Sequence, residues 1–147
     1  VRSYIQSGNV VFLTQERSAP VLVRTVERAI ADAFGFDVPV ILRTADEMAA
    51  VVRGNPFLPD GADPSKLHVT FLADEPSPGV MVDFSSYRQG PDEVRLRGRE
   101  AYLHCPEGLA RTKLTPAFLE RALGSASTTR NWRTVNTVLD MARASAP

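Results

Sequence analysis

From Val1 to Thr14 apolar and polar residues alternate, and Ser7-Gly8-Asn9 interrupts the alternation. Period-two patterning broken by residues that tolerate positive φ predicts two strands joined by a tight turn. The period then changes. Ser18 offers an N-cap with Pro20 just after it, and Leu22, Val23, Val26, Ala29, Ile30 and Ala33 recur at helical spacing until Gly35 stops the run;. Val38–Leu42 reads as a short apolar strand, with Pro39 confining it to an edge or a strand start;. Thr44 and Glu47 form a capping box, and Met48, Val51 and Val52 make the apolar stripe of a helix ending near Gly54;.

Asn55–Ser65 holds three prolines and two of the chain's aspartates and reads as a connector;. Beyond it the pattern predicts a strand over Leu67–Ala73, a helix over Pro78–Tyr87, and strands over Glu93–Arg97 and Glu100–Cys105 turning at Gly98-Arg99;. A helix follows, opened by Thr115-Pro116 and closed by Gly124, then an extended piece near Thr128. A last helix starts near Asn131 and buries Trp132, Val135, Val138, Leu139 and Ala142;. The expected fold class is therefore α+β. The second half has the element order of a split βαβ, or ferredoxin-like, unit plus one helix. The first half repeats that order without its opening strand and helix. A shift of 87 residues lays Arg43 on Arg130, Met48 on Val135 and Val51-Val52 on Val138-Leu139. The expected organisation is two packed ferredoxin-like halves, the first truncated: 1–54, a connector at 55–66, and 67–147 with its extra C-terminal helix.

Composition narrows the class. A hydrophobic share of 44% and a charged share of 23% belong to a globular domain, and no apolar run reaches the roughly 18 residues of a membrane span;. One cysteine excludes an internal disulfide framework, and no leader pattern is visible, so a cytoplasmic location is expected;. Net charge is zero, unlike most nucleic-acid binders;. It is unevenly spread: residues 1–94 carry 8 Lys/Arg against 13 Asp/Glu, and residues 95–147 carry 9 against 4. The C-terminal third thus favours an anionic partner, or the acidic half of its own chain.

Strong catalytic signatures are missing. His68 and His104 stand in no ligand-spaced motif, so no metal or other cofactor is implied, and His104 and Cys105 as strand neighbours point to opposite faces, which argues for a buried structural thiol;. The pattern carries no phosphate-binding glycine loop and no nucleophile elbow. What stands out is Arg130-Asn131-Trp132-Arg133, cations at the end of a helix where the dipole disfavours them;. A phosphate or carboxylate accepting from both amides and guanidinium groups would reverse that sign. Two stretches could join this site: Arg111-Thr112-Lys113, where cations flank a hydroxyl, and the turn bearing Ser7 and Asn9. The expected ligand-binding set is Arg130, Asn131, Arg133, Arg111, Lys113, Ser7 and Asn9, with a small phosphorylated ligand as partner. The plainer alternative leaves these cations in solvent or paired with the protein's own carboxylates.

The blocks "YIQSGNVVF" (4–12), "NPF" (55–57), "ARTKL" (110–114) and "TTRNWRTV" (128–135) resemble the signatures of a mainly bacterial, uncharacterised family, domain of unknown function 1697. The resemblance runs from residue 2 to about 142. It implies a small α+β protein of paired ferredoxin-like halves, with no assigned activity and so no catalytic residues to carry over. Members typically open with a strand, a G-I-N-V-G-G stretch and a helix, all missing from this sequence, and the chain is expected to be truncated there. Two other function classes remain open. One is a single-stranded nucleic-acid module using an open sheet face, for which Tyr102, Tyr4 and Phe12 are the available aromatics;. The other is an interaction or dimerisation module that pairs through a bare sheet edge.

Overall fold

The computed structural model describes the backbone of residues 2–4 and residues 8–145 in full. Ser7 lies outside the described residues. Arg2–Tyr4 (β1) and Asn9–Val11 (β2) pair antiparallel in a two-stranded sheet, with Arg2 opposite Val11 and Tyr4 opposite Asn9. Ala19–Phe34 (α1) begins and ends as its sequence predicts. The Ser18 hydroxyl accepts from the Val21 amide, and Gly35 closes the helix at φ 79°, where a Cβ would be strained;. The apolar stripe of α1 is only partly covered: Leu22, Val23, Val26 and Ile30 are half-buried, no residue of this helix is fully buried, and Phe34 at its end is 68% exposed.

Residues 38–42 form no strand. The Val40 amide goes to the Glu27 carboxylate at 2.9 Å and Pro39 has no amide to give, so no ladder forms;. Ala45–Arg53 (α2) follows with the full capping box: Thr44 Oγ1 accepts from the Glu47 amide, and the Glu47 carboxylate accepts from the Thr44 amide.

A five-stranded antiparallel sheet forms the rest, built from Leu67–Leu72 (β3), Tyr87–Gln89 (β4), Asp92–Arg97 (β5), Glu100–His104 (β6) and Ser127–Asn131 (β7) in the order β4-β5-β6-β3-β7. Helices Pro78–Asp83 (α3) and Pro116–Leu123 (α4) connect strands, and Trp132–Ala144 (α5) ends the chain. The predicted helix over Pro78–Tyr87 is shorter than expected. It stops at Asp83, and Tyr87 instead starts β4, where its ring lies 4.7 Å from that of Phe84 and close to Phe118. Aromatic packing against the sheet outweighs the local helical pattern here.

Both faces of the sheet are covered, which is why β3 is buried along its whole length. Leu67, Val69, Phe71 and Tyr102 face α2 and α5, whose Met48, Val51, Trp132, Val135 and Leu139 complete one core. Leu72, Val94, Leu96, Ala101 and Leu103 face α4 through Leu119 and Leu123. The open sheet face needed for base stacking is thus occupied in this sheet. α2 precedes the connector and the sheet follows it, so a single core spans the 55–66 segment.

Tyr102 is 3% exposed and donates its hydroxyl to the Val51 carbonyl at 2.8 Å, tying β6 to α2. Burial, helped by nearby Glu100, pushes this phenol from 10.0 up to about 12. An acid whose folded pKa is raised stabilises the fold fully below its unfolded pKa and loses that contribution as pH climbs. Stability should therefore fall between pH 10 and about 12, with one phenol titrating at the top of that window in tyrosinate absorbance. Both features should vanish in Tyr102→Phe; their persistence would assign them to another group.

Candidate functional site

The heads of α2 and α5 are built alike. Arg43 and Arg130 each precede an N-cap residue, Thr44 or Asn131, whose side chain accepts from the amide three residues on. Each arginine returns Nη1 to the carbonyl of the residue before it, Leu42 or Thr129, at 2.9 Å. Each also sends Nε to the first residue of the second strand of a hairpin: Arg43 to Glu100 Oε2 on β6, and Arg130 to Asn9 Oδ1 on β2, both at 2.9 Å. The offset of 87 residues seen in the sequence is therefore a repeat of geometry as well as of pattern. Each arginine reaches the hairpin on the other side of the connector, a reciprocal clasp.

Side-chain charge separates the two heads. Arg43 is almost fully buried and tied to Glu100, with Nη2 bonding the Leu72 and Arg99 carbonyls and its plane over the Phe71 ring. Desolvation lowers its pKa, and the Glu100 carboxylate works against that shift. Arg99 bridges Glu47 at 2.8 Å, so a carboxylate answers each of these two cations. The first turn of α2 carries Asp46 and Glu47, the favourable sign for a helix start;. At the α5 head, the places of Asp46, Glu47 and Glu100 are taken by Arg133, Thr134 and Asn9. Three carboxylates have become a cation, a hydroxyl and an amide.

Arg130 sits in β7, one residue before the N-cap, rather than in the helix's first turn as the sequence suggests. The ladder with β3 holds it there, Arg130 opposite Val69. It also bonds the Thr128 hydroxyl, and burial lowers its pKa. The Asn131 carboxamide is committed to the Thr134 amide, so Asn131 serves as a cap. Arg133 is exposed. Asn9 Nδ2 is buried with no hydrogen-bond partner among the described residues, a donor that costs about 1–3 kcal/mol unless an acceptor meets it;.

Arg111 and Lys113 do not join this cluster. Thr112 donates its hydroxyl to Asp92 Oδ2 at 2.6 Å, anchoring the loop beside β5, and strands β6 and β3 lie between it and β7. Among the expected residues the structure brings together Arg130 and Asn9, and sets Asn131 and Arg133 next in line. Reading the shift of 87 on to Asp46 and Glu47 would have exposed the charge reversal from sequence; nothing in the sequence pattern marks Asp92 or Glu100 as partners. Cys105 is fully buried and its thiol is pushed up by desolvation. Among the described residues no cluster of His, Cys, Asp and Glu is arranged to hold a metal, and no helix is long and apolar enough to cross a membrane.

Fold and site together define an α+β protein in which a helix head with an arginine just before its N-cap occurs twice, both helices packed on a five-stranded antiparallel sheet. The chain belongs to the family described as "Protein of unknown function (DUF1697)", whose profile matches residues 1–102. The blocks around Arg111 and Arg130 lie beyond that matched span. No curated protein and no solved structure matches the chain.

Proposed function

We propose that the protein binds a small anionic, phosphate-bearing ligand at the head of α5. The observation that carries this reading is the contrast between the two helix heads. Where the α2 head has Asp46, Glu47 and Glu100, the α5 head presents Arg133, Thr134 and Asn9. An external anion would bring the negative charge that those three positions lack. It would accept from the first-turn amides that Asn131 does not cap, from the buried Asn9 Nδ2 and from Arg133, in a site where the helix dipole also favours negative charge;. Arg111 and Lys113 have no part in this site.

Thermal unfolding in sulfate, phosphate or ATP, each against sodium chloride of equal ionic strength, tests the reading. A ligand at 100 times its dissociation constant adds about 2.7 kcal/mol, equivalent to roughly 5–10 °C for a chain of this size. A midpoint that stays flat with all three anions would remove the proposal.

A further inference from the structure

A second site with different chemistry lies at the other edge of the sheet. The β4–β5 turn and the loop between β6 and α4 enclose a cleft of about 270 Å³ lined by Gln89, Asp92, Glu107, Gly108, Arg111 and Lys113, among others. That volume is close to the roughly 300 Å³ at which small-molecule clefts begin.

The loop after β6 brings two cations to this cleft. Thr112 is extended, at φ −74° and ψ 146°, directly after a 3₁₀ turn over Leu109–Arg111. The Thr112 hydroxyl donates to Asp92 and accepts from the Leu114 amide at 3.0 Å. Arg111 and Lys113, on either side of Thr112, both line the cleft. Gly108, at φ 93° and ψ 159°, adopts a conformation that is essentially glycine's alone and turns the loop back over the cleft;.

The opposing charges are not spent on each other. Among the described residues, no ion pair includes Arg111, Lys113, Asp92 or Glu107. Asp92 is only 5% exposed, and its side-chain hydrogen bond comes from a neutral hydroxyl. A carboxylate that deeply placed ordinarily has a cation beside it. Two cations and two carboxylates thus line one cleft with a gap between the signs, and a ligand carrying both charges would close it.

We infer that this cleft binds a small zwitterion, an amino acid or similar compound whose anionic end meets Arg111 and Lys113 and whose ammonium end meets Asp92 and Glu107. The inference stands apart from the α5 head and survives its failure.

The test is a titration of the intact ¹⁵N-labelled chain with 4-aminobutyrate, butyrate or butylammonium, following the amide resonances of Gly90 and Gly108. 4-Aminobutyrate is expected to move both saturably. Either single-ended analogue should bind about tenfold more weakly or worse, the worth of one charge-assisted hydrogen bond. Lys113→Ala and Glu107→Gln, both at exposed positions, should each weaken 4-aminobutyrate by a similar factor while leaving the spectrum dispersed. The inference is overturned if 4-aminobutyrate causes no saturable movement, if butyrate binds equally well, or if both variants retain full affinity. Movement confined to the amides of Trp132 and Arg133 would count against this cleft and for the α5 head.

Discussion

Arg43→Ala is expected to destabilise the fold by about 3–5 kcal/mol, the cost of breaking a buried ion pair from one side. The side chain is 5% exposed and makes four hydrogen bonds, to the Glu100 carboxylate and to the Leu42, Leu72 and Arg99 carbonyls. Removing it strands those acceptors and leaves Glu100, itself only 18% exposed, without its cation. It also strips the cover from the Phe71 ring at the edge of the α2–α5 core. Urea unfolding reads the loss directly: with a slope of about 2 kcal/mol/M the midpoint should fall by about 2 M. Arg43→Lys should recover only part of it, since an ammonium cannot reproduce the planar fork that serves several acceptors at once. If Arg43→Ala shifts the midpoint no more than a surface substitution does, the clasp is not holding the two sides together.

The second large effect is on ligand response. Giving the α5 head the carboxylates of the α2 head, by Asn9→Glu with Arg133→Asp, should abolish the anion-induced rise in unfolding temperature, the whole of the roughly 5–10 °C expected at saturation. The carboxylate introduced at position 9 would stand to Arg130 as Glu100 stands to Arg43, and the one introduced at position 133 would occupy the first turn as Asp46 does. Acidic residues in a first turn add about 0.3–1 kcal/mol, so the ligand-free double variant should be at least as stable as the parent. That combination separates ligand loss from unfolding. A double variant that is stable and still responds fully to sulfate, phosphate and ATP would locate the anion elsewhere. One that loses the response only because it has melted would show a lower ligand-free midpoint, which contradicts the expected helix-head gain.

Particular residues explain how far the sequence could be read. Ser18, Thr44, Thr115 and Asn131 act as caps because the interaction is local: a side chain reaches an amide three residues away whatever the rest of the chain does;. Gly35, Gly98 and Gly124 adopt positive φ for the same local reason;. Residues 38–42 and Tyr87 went against their patterns because pairing is not local. The first lost its ladder to Pro39 and the Glu27 carboxylate, and the second gained one from β5. The wide separation of Arg111 from Arg130 was equally out of reach, since motif spacing does not say which strands stand between two loops.

The sequence by itself determined the α+β class, the helix boundaries set by caps and glycines, and the repeat that places Arg43 and Arg130 in matching positions. Those follow from periodicity and from contacts within one turn of chain. Only the tertiary structure decided that the two arginines clasp opposite hairpins, that Glu100 stands at one head where Asn9 stands at the other, and that Arg111 and Lys113 face a cleft of their own. Those outcomes depend on the strand order of the sheet and on contacts between residues as far apart as Asn9 and Arg130, 121 positions along the chain. Packing energy alone selects such pairs.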